Sequence, residues 1–508
     1  MNSNQERRGK IKTPPCKEVV DNIISPNLAE GIKRNFQAYV DINRAHVLML
    51  AKCGILKSSD AAAILEVNEE MAAMGSTPQF FIDPKREDLY FNMEHFLIDR
   101  VGMHIGGQQH TARSRNDMTS TVTRLVGRKS FFKLCFELLK FRKILLGLAE
   151  RNINVAMAGY THLQPSEPIS FGHYCSAVLA SFQRDYERIS SVYPRLNVCP
   201  LGGTSMGSST WSIDRNLTAE LLGFDAPVNN SLDCVASRDY ALELISDMAI
   251  CGNTLCRICN DFYVWSTPDY GYVEVEDSVA VCSSIMPQKK NPWTLEFIKG
   301  KTGSIEGSLM AALSTLRSTP FTYCLDMSGV AMENLWRAFD QMESALELSC
   351  ATFRDLKVNK ERMLATAKGN YCTVTELANT LVRKDGISFR EAHKIVALVV
   401  DWMLSNSKKA NEISSQEVNK CAVEILGRSL SITNEEVLTA LDPERNINAK
   451  SIIGGTSPQE VSRQLNLLRL KIEADEEALN KKKEKVELAF EKAKRQAWYL
   501  INQNKKGE

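Results

Sequence analysis

The strongest constraint on this chain is the length over which its apolar residues keep a helical period. Phe131, Leu134, Leu138, Phe141, Leu145 and Leu148 advance by three or four, which places them on one face of a long helix. The same pattern recurs over Leu28–Leu56, Ser170–Leu196, Ser237–Trp265, Leu295–Leu316 and Met332–Phe353. Alternating strand-like runs with hairpin turns are scarce, so the fold class is mainly α. Helices this long need neighbours along the whole face, which points to a bundle with packing between subunits.

Glycine and proline gather between the long helices, at Gly106-Gly107, Pro200-Leu201-Gly202-Gly203 and Gly454-Gly455, where sites are usually built. These breaks suggest an N-terminal helical domain over 1–112, a central long-helix bundle over 113–362, a small helical domain over 363–470 and a charged helical extension over 471–508. In the extension Ile472, Leu479, Val486, Ala493 and Leu500 recur every seventh residue. The companion seam is polar at Asp475, Lys482 and Gln496, so the stripe is expected to pack on its own subunit or a neighbour rather than form an independent coiled coil.

Lysine and arginine total 62 against 61 acidic residues, so no whole-chain field favours nucleic acid or an anionic membrane. The best candidate for a membrane span, Leu244–Trp265, carries Asp247, Asn253, Arg257, Asn260 and Asp261, which suit a helix packed in protein. Met1–Lys12 is polar and lacks the apolar run of a secretory leader. With 14 scattered cysteines, this favours reduced thiols and a cytoplasmic location. Cys256 and Cys259 form a lone CxxC inside a helical run, which reads as structural rather than as a metal site.

Three segments carry chemistry. Cys282-Ser283-Ser284-Ile285-Met286-Pro287-Gln288-Lys289-Lys290-Asn291-Pro292 sets hydroxyls, ammonium groups and an amide just before a helix. Such a loop can polarise a carboxylate, and a serine in it can act as a base if its alkoxide is favoured. It can equally be a hydroxyl-rich helix cap followed by solvated lysines. His110-Thr111-Ala112-Arg113-Ser114-Arg115-Asn116-Asp117 gathers guanidinium, hydroxyl and amide donors before a long helix, either a carboxylate clamp or a capped helix start. Gly159-Tyr160-Thr161-His162-Leu163-Gln164-Pro165 places a hydroxyl beside a histidine in a turn. His162 there is either a proton carrier or a hydrogen-bonding core residue. Gly300-Lys301-Thr302 fails as a phosphate loop, because Leu295 stands where the first glycine belongs.

Together the three segments resemble the fumarase/aspartase superfamily, and most closely its argininosuccinate lyase branch. The SSxMPxKxN core of Ser283–Asn291 is similar to the superfamily signature. The strings Ser114–Asp117, Gly159–Gln164, Pro200-Leu201-Gly202 and Gly454–Pro458 follow in the order of that branch, and the resemblance spans roughly Leu28–Leu468. It implies a three-domain, mainly α subunit with a long-helix bundle core, assembled as a homotetramer whose active sites each draw on three subunits. The implied reaction is a reversible β-elimination that releases fumarate from an N-substituted aspartate, by default argininosuccinate, with arginine as the amine and no metal or organic cofactor. By the same resemblance Ser283 is the base, Lys289 and Asn291 stabilise the aci-carboxylate, and His162, oriented by Glu296, serves the leaving nitrogen. Ser114, Arg115, Asn116 and Thr161 hold the carboxylates, Tyr323 lines the amine side and Arg238 lies near the site.

The chain departs from that branch in places. Cys282 and Ala112 replace usual glycines, Ser237 replaces a usual glutamate, and Ser328 and Ala331 stand where a glutamine and a lysine help bind the arginine half. A site that loses such partners loses discrimination. The amine is therefore open, with ethylenediamine-disuccinate a natural alternative. A catalytically silent, crystallin-like protein on the same scaffold is a third reading, opposed by the complete proton-transfer set.

Overall fold

The computed structural model describes residues 13–507, so the polar segment Met1–Lys12 lies outside the described residues. The N-terminal part is built from α1 (Phe36–Lys52), α2 (Ser58–Ala73) and α3 (Leu89–Val101). Asp88 starts α3 by accepting the Phe91 N–H at 2.8 Å, the usual answer to the unpaired donors of a first turn. The run over Leu28–Leu56 is broken at Asn35, with a separate helix over Ser25–Arg34 before α1.

Five long helices make the centre: α4 (Arg115–Arg151), α5 (Phe171–Ser191), α6 (Asp239–Trp265), α7 (Trp293–Leu316) and α8 (Ala331–Arg354). At 37 residues α4 is about 55 Å long. The helical stripe read from the sequence is its inner face, since Phe131, Leu134, Leu138, Phe141, Leu145 and Leu148 are all buried. They share one hydrophobic cluster with Leu179 and Phe182 of α5, Leu244 and Phe262 of α6, Leu295 and Ile298 of α7, and Phe339 and Phe353 of α8. α7 packs along both α6 and α8, and α4 along α5 and α8.

A hairpin of β1 (Ala156–Thr161) and β2 (Gln164–Ser170) joins α4 to α5. A smaller one, β3 (Val281–Cys282) with β4 (Lys290–Asn291), precedes α7. Beyond the bundle, α9 (Val374–Asp385), α10 (Phe389–Ser405) and α11 (Ser415–Leu426) enclose a separate core around Leu377, Leu381, Ile395, Val399 and Val418.

The chain ends in α12, one continuous helix over Pro458–Gly507. Its apolar stripe packs on its own chain, with Ile472, Leu479 and Val486 in the bundle core and Ala493 in the N-terminal core. At the far end the buried positions are Ala497 and Ile501, while Leu500 is half-buried. A straight helix falls about 20° short of two turns every seven residues, so a strict heptad stripe rotates off the contact face after four repeats.

Buried arginines of α4 fasten the next segment to it. Arg124 donates to the carbonyls of Arg195 and Leu196, and Arg128 to Asn197 Oδ1 and the carbonyls of Leu222 and Gly223. The Pro200–Ser208 loop is thereby held beside the N-terminal end of α4. Among the described residues no helix is long and apolar enough to cross a membrane. All 14 cysteines are free thiols. Cys256 and Cys259 lie on α6, and no group of three metal-ligating side chains gathers anywhere among the described residues.

Candidate active site

The candidate clamp lies at the start of α4. Ser114 is the N-cap, its Oγ accepting the Asn116 N–H at 3.3 Å, while Asp117 Oδ1 accepts the Ser114 N–H at 3.0 Å. This reciprocal capping box directs the positive end of a long helix at the Ser114–Asn116 segment. Arg115 donates to Glu87 at 3.1 Å and to Asp88 at 2.9 Å and lies over the Phe91 ring at 4.5 Å. Asn116 Nδ2 donates to the Ser205 carbonyl at 3.1 Å, which joins the clamp to the Pro200–Ser208 loop.

Arg238, just before α6, is buried and comes to the same place, with Nη2 donating to Ser120 Oγ at 2.9 Å and Nη1 to the Ser237 carbonyl at 2.7 Å. Burial lowers its pKa, and its Nε has no partner. Half-buried Tyr323 packs beside it against Val228, Cys234 and Val235. The chain thus gathers Ser114, Arg115, Asn116, Arg238 and Tyr323 into one region.

Thr161 and His162 stand at the exposed tip of the β1–β2 hairpin. Thr161 pairs with Gln164, leaving His162 and Leu163 as a two-residue turn with φ of 54° and 58°. Both torsions are left-handed, as tight hairpin turns demand, and both residues are ones that ordinarily avoid them. The hairpin is steadied below its tip by a 2.6 Å hydrogen bond between the hydroxyls of Tyr160 and Tyr272.

Ser283 opens the loop that β3 and β4 close. Its N–H donates to the Lys289 carbonyl at 3.1 Å, and its Oγ accepts the N–H groups of Ile285 at 3.4 Å and Met286 at 3.1 Å. Ser283 and Asn291 are half-buried and Lys289 is exposed. Lys290 is drawn aside into ion pairs with Glu274 at 2.8 Å and Asp277 at 2.6 Å. Glu296, in the first turn of α7, accepts a hydrogen bond from Tyr263 at 3.2 Å. Among the described residues no hydrogen bond joins His162 to Glu296, and none joins either residue to the Ser114–Asn116 segment or to the Ser283 loop.

A lyase family profile matches residues 30–307, and a profile of the argininosuccinate lyase C-terminal region matches 371–448. Argininosuccinate lyase 1 of Shouchella clausii is 41% identical over 481 residues, covering 95% of this chain and 96% of that one. The argininosuccinate lyase of Methanocaldococcus jannaschii is 35% identical over 480 residues, 94% of this chain and 97% of its own. The chain belongs to the argininosuccinate lyase family. It is a carbon–nitrogen lyase, and its fold is that of the fumarase/aspartase superfamily. A solved EDDS lyase variant with bound fumarate superposes with a TM-score of 0.86 at 28% identity, covering 97% of this chain and 98% of that one.

Two departures from the usual argininosuccinate lyase sequence now have locations. Ala112 has φ of 58°, a left-handed position where a side chain costs about 1–2 kcal/mol and glycine nothing. Ser328, in the helical turn Asp326–Val330 just before α8, and Ala331, the first residue of α8, are both buried. Sequence reasoning passed over Asp117 as a functional residue, although Ser114-Arg115-Asn116-Asp117 is itself an S-x-x-D capping signature. Its Oδ2 accepts the N–H groups of Gly202 at 2.9 Å and Thr204 at 2.8 Å, a contact across 85 and 87 residues that no local pattern announces.

Proposed function

We propose that this enzyme catalyses the reversible β-elimination of argininosuccinate to fumarate and arginine, in the cytoplasm, as a homotetramer whose sites combine the three segments from different subunits. The observation that carries the chemical reading is the Ser283 Oγ in contact with two backbone N–H groups. Donors aimed at a hydroxyl oxygen stabilise its alkoxide, which is what a serine needs to remove a Cβ proton. Electrons from the broken C–H bond pass into the adjacent carboxylate, where Lys289 and Asn291 meet the developing charge. Collapse of that aci-carboxylate breaks the Cα–N bond, and His162, paired with Glu296 of another subunit, protonates the leaving nitrogen. Ser114, Arg115, Asn116 and Thr161 hold the carboxylates, Arg238 supports the clamp and Tyr323 faces the amine.

Assembly is supported by the outer face of the bundle. Ile250, Trp293, Phe297, Met310 and Leu313 are exposed there, and on α7 a Cβ added at Gly300, Gly303 or Gly307 would meet nothing within 4 Å. Open glycines in the middle of a helix suit close approach by another helix.

A second reading is favoured by one observation. The buried Ser328 and Ala331 offer no long polar side chain to a guanidinium, which favours the amine of another aminocarboxylate; the EDDS lyase likeness makes ethylenediamine-disuccinate the first to try. Purified enzyme offered argininosuccinate and other N-substituted aspartates, with fumarate followed by ultraviolet absorbance, decides between them. Ser283→Ala is expected to reduce turnover by about 10²–10⁴-fold with assembly intact. Unchanged turnover would refute Ser283 as the base.

A further inference from the structure

One buried carboxylate ties together two segments that the proposed site needs side by side. Asp117 is fully buried in the first turn of α4. Through Oδ1 it holds the Ser114 N–H, and through Oδ2 the N–H groups of Gly202 and Thr204. The loop it grips is strained: Thr204 and Ser208 both have left-handed torsions, with φ of 55° and 61°. Residues with side chains stay in such torsions only where surrounding bonds over-determine them, and hydrogen bonds to an ionised carboxylate are strong ones. Around the loop Thr204 Oγ1 donates to the Ser208 carbonyl at 2.7 Å, Ser208 Oγ to the Gly202 carbonyl at 3.2 Å, and Asn116 Nδ2 to the Ser205 carbonyl. Two of these bonds use Gly202 and Thr204, the residues that Asp117 itself holds.

We infer that Asp117 is a positioning residue for carboxylate recognition, strapping the Gly202–Ser208 loop onto the Ser114–Asn116 clamp and loosening both when it is protonated. This rests on the fumarate-releasing reading above. A neutral carboxyl bears a proton on one oxygen and cannot accept all three N–H groups, so the loop and the clamp lose their common anchor. The titratable groups facing it are Arg113 from the preceding loop, whose charge favours the ionised form, and the thiols of Cys199 and Cys234, the latter held by Arg215 at 3.2 Å. Burial outweighs Arg113 and the three N–H groups and pushes the Asp117 pKa up to about 6, within the range an assay can cross.

The test is calorimetric titration of the intact enzyme with fumarate across pH, for wild type and Asp117→Asn. The asparagine keeps the shape but turns an NH₂ toward one set of donors. Wild-type affinity is expected to fall several-fold from about pH 7.5 to pH 5 as the strap protonates. Asp117→Asn is expected to bind about 10-fold more weakly at neutral pH, with that pH dependence flattened. Wild-type affinity that is flat or rises in acid overturns the inference without any variant, which covers the case of a misfolded Asp117→Asn. Equal binding by wild type and variant also overturns it, alone. Absence of fumarate binding by wild type at every pH overturns the parent reading, and this one with it.

Discussion

Gly159→Ala puts the smallest possible side chain where the β1–β2 hairpin has no room for one. Gly159 lies at the irregularity between Ala158 and Tyr160, where the register of β1 shifts against β2. A Cβ built there would sit 2.7 Å from the Glu167 carbonyl oxygen, with Ile169 Cγ2 at 3.4 Å and Cδ1 at 3.6 Å behind it. Ordinary contact requires roughly 3.4 Å or more, so β2 must retreat by about 0.7 Å, and Ile169 closes the sideways escape. Overpacking of this kind costs about 1–3 kcal/mol. The displacement is passed to the turn carrying Thr161 and His162, only two and three residues away. A misplacement of about 1 Å at a reacting group costs on the order of 10²-fold in rate. The expected result is therefore a fall in fumarate release of about 10–100-fold, together with a lower denaturant midpoint. Turnover within about three-fold of wild type, at unchanged stability, would show that the hairpin yields without moving His162 and would refute the reasoning.

Two further outcomes follow from buried or crowded groups. Burial, helped by Arg113 and Arg115, lowers the His110 pKa from 6.5 to about 4; a base depressed in the fold is neutral there while the unfolded chain takes up a proton. Stability is thus lost as pH falls from 6.5 toward 4, by about 1–2 kcal/mol after allowance for the partial exposure of this side chain. His110→Gln should remove that increment from the pH dependence of the denaturant midpoint, and identical slopes would contradict it. Gly303→Ala adds helix propensity worth about 1 kcal/mol in an open helix. If a partner helix packs on α7, the substitution instead weakens assembly, and sedimentation should show tetramer loss; a tetramer of raised stability would sink the packing argument.

Much of the bundle was legible because helix period is a local property. The spacing of Phe131 to Leu148 marks the buried face of α4 whatever it packs against, and the runs now seen as α6, α7 and α8 follow the same rule. The candidate site was legible as an inventory of chemistry. Ser283, His162 and Arg115 were recognisable from residue type and string order, yet their surroundings were not. That Arg115 faces Glu87 and Asp88, or that Lys290 turns away to Glu274 and Asp277, depends on residues 13 to 28 positions distant in sequence.

The sequence by itself determined which faces of the helices are apolar, where loops break them and which reactive groups the loops carry, because those depend on neighbours within a few residues. Tertiary structure alone decided the rest. It set the left-handed torsions of Ala112, His162 and Leu163, the shift of the last buried contact of α12 from Leu500 to Ile501, and the placing of Asp117 under a loop more than 80 residues away. Long-range pairing is selected by packing and by the need to satisfy buried polar groups, and neither has a local period that a sequence can display.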